Sequence, residues 1–206
     1  MAENHVITIA RGYGSGGKTM GKRLAEELGW SYYDRELLRL ASDESGISEE
    51  LFARADETAK RSLLYRVAQD ALDGQVIPPD SDDFISNENL FRYQAKIIRK
   101  LAETENCVIV GRCANYILRD KPNVIRVYVH APENVCVRTV MSMYRLTSDE
   151  ARKRIVQTDK RRGDYYRYFT GHDWRYADDY DLCFDSSRIE WDKCIRIIRS
   201  ILESIS

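Results

Sequence analysis

Residues 6–10, Val-Ile-Thr-Ile-Ala, form a short β-branched run that leads into Gly12. Beyond it Met20, Leu24 and Leu28 recur at helical spacing until Gly29 stops the pattern. This predicts a strand, a glycine-rich loop and a helix in that order. Residues 30–33 read as a second short strand, and 36–41 and 49–72 as helices, the latter opened by Ser48 as its N-cap. Residues 74–89 gather Pro78, Pro79, Ser81, Ser86 and three aspartates, which predicts a long exposed loop. A helix follows over 89–104. Residues 107–111 and 124–129 are apolar without polar alternation, the pattern of strands covered on both faces of a parallel sheet. Pro132 suits the first turn of a helix running to about Leu146, and Thr147 with Glu150 makes a capping box for a second, highly charged helix. A brief strand at 182–184 precedes a terminal helix whose inner face would carry Ile195, Ile198, Leu202 and Ile205. Strands that alternate with helices in this way imply an α/β layered fold.

Composition narrows this picture. A chain of 206 residues can bury one sizeable core, with or without a smaller insert, and 43% hydrophobic with 32% charged residues fits a folded, soluble protein. A formal net charge of -1 supplies no global basic field, so nucleic acid is not an expected partner. The apolar run at 6–10 is too short for a signal segment and lacks a basic flank, and no stretch approaches the length of a membrane span. A cytoplasmic protein is expected. The five cysteines, without a Cys-x-x-Cys pair, read as reduced thiols, and His5, His130 and His172 have no metal-ligand spacing.

Candidate chemistry sits between the first strand and the first helix. Gly12-Tyr13-Gly14-Ser15-Gly16-Gly17-Lys18-Thr19 matches G-x-x-x-x-G-K-[ST] at every fixed position. Backbone N–H groups of such a turn and of the following helix N-terminus point at phosphates, and glycines let the chain approach them closely. Gly12, Gly14, Ser15, Gly16, Gly17, Lys18 and Thr19 are therefore the expected ligands of the ATP phosphates. Lys18 would reach the β/γ oxygens and Thr19 would be the protein ligand of Mg²⁺. No guanine-reading Asn-Lys-x-Asp is found, which argues against a regulatory GTPase. The strand at 107–111 runs into Arg112 rather than an aspartate, unlike the metal-holding strand of motor and transport ATPases. An arginine there can bind a phosphate, at the strand end where α/β sheets bind ligands.

Residues 9–21, 29–34, 110–112 and 159–167 together resemble the cytidylate kinase-like family of P-loop nucleoside monophosphate kinases, and the resemblance spans nearly the whole chain. It implies a three-layer P-loop NTPase fold: a parallel five-stranded sheet with helices on both faces, a helical NMP-binding insert at about 35–104 and an arginine-rich lid at about 158–176. Asp34 falls on the family's aspartate after the second strand, while Arg35 replaces its usual serine or threonine. Gly111-Arg112 is similar to the family's Gly-Arg-Asp, but Cys113 stands where the aspartate would be.

On this resemblance Asp34, Arg35, Arg112, Asp164 and Arg167 are acceptor contacts. Arg161 and Arg162 join Lys18 as the catalytic cations. The implied reaction is ATP- and Mg²⁺-dependent transfer to a small nucleotide acceptor such as CMP or dCMP. A kinase with another small-molecule acceptor, favoured by Arg35 and Cys113, and a non-catalytic ATP-binding module both stay open. The aromatic set Tyr165, Tyr166, Tyr168, Phe169, Trp174 and Tyr176 is expected to pack the lid rather than stack on a base.

Overall fold

The five apolar runs assemble into one sheet in a computed structural model that describes residues 4–58, 74–79, 81 and 83–205. Its strands are β1 (Val6–Arg11), β2 (Ser31–Tyr33), β3 (Cys107–Val110), β4 (Val124–His130) and β5 (Leu182–Asp185). They run in the order β2-β3-β1-β4-β5, and every neighbouring pair is parallel. The chain fills one side of β1 with β3 and the other with β4. That reversal opens a crevice at the C-terminal ends of the central strands, where ligands of such sheets bind.

Successive strand residues point to opposite faces, and the two faces have separate cores. Ile7, Ile9, Val108 and Val110 pack against α1 (Gly17–Leu28) and α8 (Trp191–Ile205) through Met20, Leu24, Ile195 and Ile198. On the opposite face Val6, Cys107 and Ile109 belong to a larger core with α2 (Glu36–Ser45), α3 (Glu49–Thr58) and α4 (Asn87–Thr104). The short α5 (Ala114–Ile117) and the second half of α7 (Ser148–Thr170) join that core through Ala114, Tyr165 and Phe169. The result is three layers. A smaller cluster of Cys136, Val137, Val140, Ala151 and Ile155 joins α6 (Glu133–Tyr144) to the start of α7.

Most boundaries follow local chemistry. α1 ends at Gly29, whose left-handed backbone (φ 66°) lets its N–H reach the carbonyls of Ala25 and Glu26. α7 opens with the predicted capping box, in which Thr147 accepts from the Glu150 N–H and the Glu150 side chain accepts from the Thr147 N–H.

Other boundaries differ from the sequence pattern. Pro132 is the N-cap of α6 rather than part of its first turn, and the helix stops at Tyr144 because Arg145 adopts a left-handed conformation. α4 starts two residues before the expected 89 because the Ser86 hydroxyl caps it. Asn89 is buried, and its amide takes the Ile77 N–H at 2.7 Å and donates to the carbonyls of Ile77 and Phe84. This polar side chain gathers the described part of the 74–89 loop against the helix. Ile205 is 44% exposed, and Cys194 fills the inner face of α8 instead. The helix expected over 49–72 is observed to Thr58, and residues 59–72 lie outside the described set.

Candidate active site

The glycine-rich loop turns sharply at two left-handed glycines, Gly14 (φ 85°) and Gly16 (φ 82°). A Cβ on Gly14 would lie 2.8 Å from the Cys136 carbonyl oxygen, and one on Gly16 would collide with the Trp191 ring. Here the bare backbone is demanded from behind as well, by α6 and α8, in addition to the room it leaves a phosphate in front. Gly16 is the N-cap of α1 and supplies no side chain to cap it, so the free N–H groups of the first turn face the loop's concavity. The Ser15 hydroxyl is turned inward, within reach of the carbonyls of Gly12 (2.9 Å) and Val129 (3.1 Å). Ser15 thus fixes the loop to β4, and its hydroxyl does not face the cleft.

A cleft of about 640 Å³ opens beside this loop and is lined by residues from the ends of β1, β2 and β3 and from α7. Lys18 and Asp34 meet in it, with Nζ 2.7 Å from Oδ2, and Arg11 approaches the other carboxylate oxygen at 3.5 Å. Burial pushes the Asp34 carboxyl up, but Arg11, Lys18 and Arg112 outweigh it and hold the group below the usual carboxylate range. The same burial, reinforced by Arg162, lowers Arg11 to about 10. Arg112 follows β3 in a run of three left-handed residues, Gly111, Arg112 and Cys113. Two of these are not glycine, and the strained backbone aims Arg112 into the cleft. Cys113 lies buried behind it with its thiol pushed up by burial, so it offers no negative charge where a carboxylate could have stood.

The far wall comes from α7. Arg162 donates to the Arg11 carbonyl at 3.1 Å, lies 3.4 Å from Asp159, and stands over the Tyr13 ring at 5.3 Å. Asp159 in turn accepts the Tyr13 N–H at 2.8 Å, so a helix residue grips the glycine-rich loop directly. Burial raises the Asp159 carboxyl against the pull of that N–H and of Arg162. Arg161 also lines the cleft, as do Arg35 and Arg154. Asp164 and Arg167 are not brought there: Asp164 pairs with Lys160 one turn back, and Arg167 pairs with Asp173 at 2.8 Å. Of the aromatic set, Tyr165, Tyr166, Phe169 and Trp174 are buried, Tyr165, Tyr166 and Trp174 also line the cleft, and Tyr176 is exposed. Tyr166 also holds a polar chain, accepting from the Asn115 amide and donating to Asp179 (2.8 Å each). His172 meets the other oxygen of Asp179 at 2.9 Å.

The sequence assigns no role to Arg11, Tyr13 or Asp159. Arg11 carries the same signal as Arg112, a cation at the C-terminal end of a buried parallel strand. Asp159 opens the 159–167 stretch of the resemblance, but nothing local points to its contact with Tyr13, 146 residues away.

Thr19 lies in the first turn of α1 and is exposed. Among the described residues no cluster of three or more His, Cys, Asp or Glu side chains could hold a metal ion. The Thr19 hydroxyl is a hard oxygen donor of the kind that a magnesium-type cation takes.

A five-stranded parallel sheet with this loop and cleft defines a P-loop kinase, a phosphotransferase for nucleotides or other small molecules. The fold is shared with shikimate kinase from Bacteroides thetaiotaomicron, at TM-score 0.54 and 16% identity over 97% of this chain and 98% of that one. The chain belongs to the cytidylate kinase-like family, whose pattern matches residues 6–188. It is 26% identical to a cytidylate kinase from Methanopyrus kandleri, covering 97% of this chain and 94% of the relative. It is 25% identical to one from Methanosarcina barkeri, covering 97% of each. A solved protein from Eubacterium ventriosum matches at TM-score 0.70 and 25% identity, covering 98% of this chain and 99% of that one. No helix among the described residues is long and apolar enough to cross a membrane.

Proposed function

We propose that the protein transfers the γ-phosphoryl group of ATP to a nucleoside monophosphate, with CMP or dCMP as the first acceptors to test. The observation that carries this reading is the cleft itself. It joins the glycine-rich loop to Arg112 and sets Arg11, Arg35, Arg112, Arg154, Arg161, Arg162 and Lys18 against two carboxylates, Asp34 and Glu49. Two polyanions brought together need such an array more than they need a nucleophilic side chain.

In this reading the amides of residues 12–19 hold the donor phosphates, and Lys18 neutralises charge on the β/γ oxygens. Arg161 and Arg162 stabilise the transferring group. Asp34, Arg35 and Arg112 orient the acceptor. α2 and α3 form the acceptor-binding insert, and the end of α7 serves as the lid that excludes water. Mg²⁺ bound with ATP at Thr19 would supply further charge neutralisation. Asp164 and Arg167 are left outside the acceptor site because both are engaged away from the cleft.

Cys113 favours a second reading, a kinase with a different acceptor. A buried thiol cannot accept the pair of hydrogen bonds that a carboxylate accepts from an amino-bearing base. One assay separates the two. ATP consumption is measured with each common nucleoside monophosphate and with hydroxyl acceptors, including shikimate and gluconate. Turnover with CMP or dCMP well above all others supports the first reading, and turnover only with a non-nucleotide rejects it. Tight ATP binding without acceptor-stimulated turnover rejects both.

A further inference from the structure

We propose that Arg11 is a phosphate-binding residue whose guanidinium receives the phosphate of the acceptor. The proposal rests on the kinase reading above and adds a ligand contact which that reading does not contain.

Arg11 is the last residue of the central strand, and neighbouring glycines make its place. A Cβ on Gly17 would lie 2.6 Å from the Arg11 Cβ, so the stem passes directly beneath the first residue of α1. A Cβ on Gly111 would collide with Nη1, so the guanidinium lies over that residue, beside Arg112 and at the acceptor end of the cleft. The absence of a side chain at position 111 leaves the room that this guanidinium takes.

The charge around Arg11 is unbalanced. Its side chain is 16% exposed, and its ion pair with Asp34 is long at 3.5 Å. The Asp34 oxygen on the other side is taken at close range by Lys18. Nε is buried without a partner. Arg162 and Arg112 add positive charge nearby, and Asp159 adds one weaker opposing carboxylate whose ionisation burial disfavours. A guanidinium has five N–H donors in a fixed fork, and leaving them unmet in a desolvated site is costly. A phosphomonoester dianion matches both the geometry of the fork and the missing charge. A neutral hydroxyl acceptor matches neither. The position over Gly111 selects the acceptor's phosphate over the donor's, since donor phosphates belong at the α1 N-terminus.

Arg11→Met and Arg11→Lys test this by steady-state kinetics and by calorimetric titration with CMP, cytidine and inorganic phosphate. Arg11→Met should raise the acceptor KM roughly 10- to 100-fold, as expected for lost charge-assisted hydrogen bonds, while the ATP KM moves less than about twofold. It should weaken inorganic phosphate binding and erase the preference for CMP over cytidine, without lowering Tm, because an unbalanced buried cation has been removed. Arg11→Lys, which keeps charge but not the fork, should fall between.

If the wild type transfers to a monophosphate and Arg11→Met does so with unchanged acceptor KM, the inference fails and the kinase reading stands. A shift confined to the ATP KM also overturns the inference. If the wild type transfers to no monophosphate, yet binds inorganic phosphate in an Arg11-dependent way, the kinase reading fails and the phosphate assignment survives. Should Arg11→Met not fold, Arg11→Lys decides. Phosphate affinity at the wild-type level would make Arg11 a structural cation, and reduced affinity in a folded protein supports the assignment.

Discussion

Asp34 and Lys18 join the end of β2 to the glycine-rich loop through a 2.7 Å ion pair, and the remaining oxygen of the same carboxylate faces Arg11. A single buried acid from the β2–α2 connection thereby faces two cations of the β1–α1 connection. Its proton affinity follows from that position, as burial alone would raise it and the surrounding cations more than reverse the effect.

The sign of its pH dependence is set by this depression. A carboxyl held lower in the folded than in the unfolded state stabilises the fold above its unfolded value of about 4, and that contribution disappears as pH falls through the folded value. Asp34→Asn should therefore be less stable than wild type at pH 7, by about 1–3 kcal/mol for cations that lose a partner. The gap should shrink as pH falls below about 4 and the wild-type carboxyl takes up its proton. Urea unfolding of both proteins across this range measures it, and a gap independent of pH would remove Asp34 from the charge balance.

Lys18 contrasts with Asp34 because its side chain is 62% exposed. Lys18→Ala should leave the protein folded but cost about 1–2 kcal/mol, since the buried Asp34 carboxylate loses its close partner and keeps Arg11 at 3.5 Å. Phosphoryl transfer should nevertheless fall by at least roughly 100- to 1,000-fold, the scale on which single charge-stabilising contacts act in a transition state. Residual kcat within about tenfold of wild type would contradict the role given to this lysine.

How much of this was legible in the sequence depends on the range over which each contact acts. The strand, loop and helix around Gly12 to Thr19 could be read locally because β-branched residues, glycines and helical spacing lie within a few turns of chain. The Thr147–Glu150 capping box is equally local, and it was found. Asp159 under Tyr13 and Trp191 behind Gly16 were not legible, since each partner arrives from the far end of the chain. The burial of Asn89 was not legible, because a buried asparagine that closes a loop has the same letter as one exposed at its edge. The outward pairing of Asp164 and Arg167 was hidden by their charge-rich neighbourhood, where i,i+4 partners compete with a ligand.

Gly16 allows a test of the loop's rear packing. Alanine there must accept a left-handed backbone and a Cβ that strikes Trp191. Gly16→Ala should lose about 2–4 kcal/mol from backbone strain and overpacking combined. Pairing it with Trp191→Leu should recover part of that loss, because the steric term is shared and the backbone term is not. Thermal unfolding of the single and double variants reports this, and strict additivity would show that the tryptophan is not the obstacle.

Tyr166 sits at the centre of a buried polar chain, so its hydroxyl should matter more than its ring. Tyr166→Phe keeps the packing against Tyr116 but leaves the Asn115 amide and the Asp179 carboxylate each short of a partner. A loss of about 1–3 kcal/mol is expected by denaturant unfolding. Tyr166→Phe combined with Asn115→Leu and Asp179→Leu should be less costly than the sum of the three single changes. If Tyr166→Phe unfolds at the wild-type denaturant midpoint, the hydrogen bonds contribute nothing net.

Arg112 brings the acceptor side of the argument to a quantitative test. Arg112→Ala should raise the KM for the acceptor roughly tenfold or more with little change in that for ATP. If Arg11 and Arg112 grip one phosphate, removing either weakens the hold of the other, so their effects on acceptor KM should be coupled. A double-mutant cycle with Arg11→Met and Arg112→Ala should then depart from additivity by about 0.5–3 kcal/mol, the range for residues that share one ligand. Additive effects would place the two guanidiniums on separate parts of the acceptor. An unchanged acceptor KM in Arg112→Ala would move the acceptor site away from the end of β3.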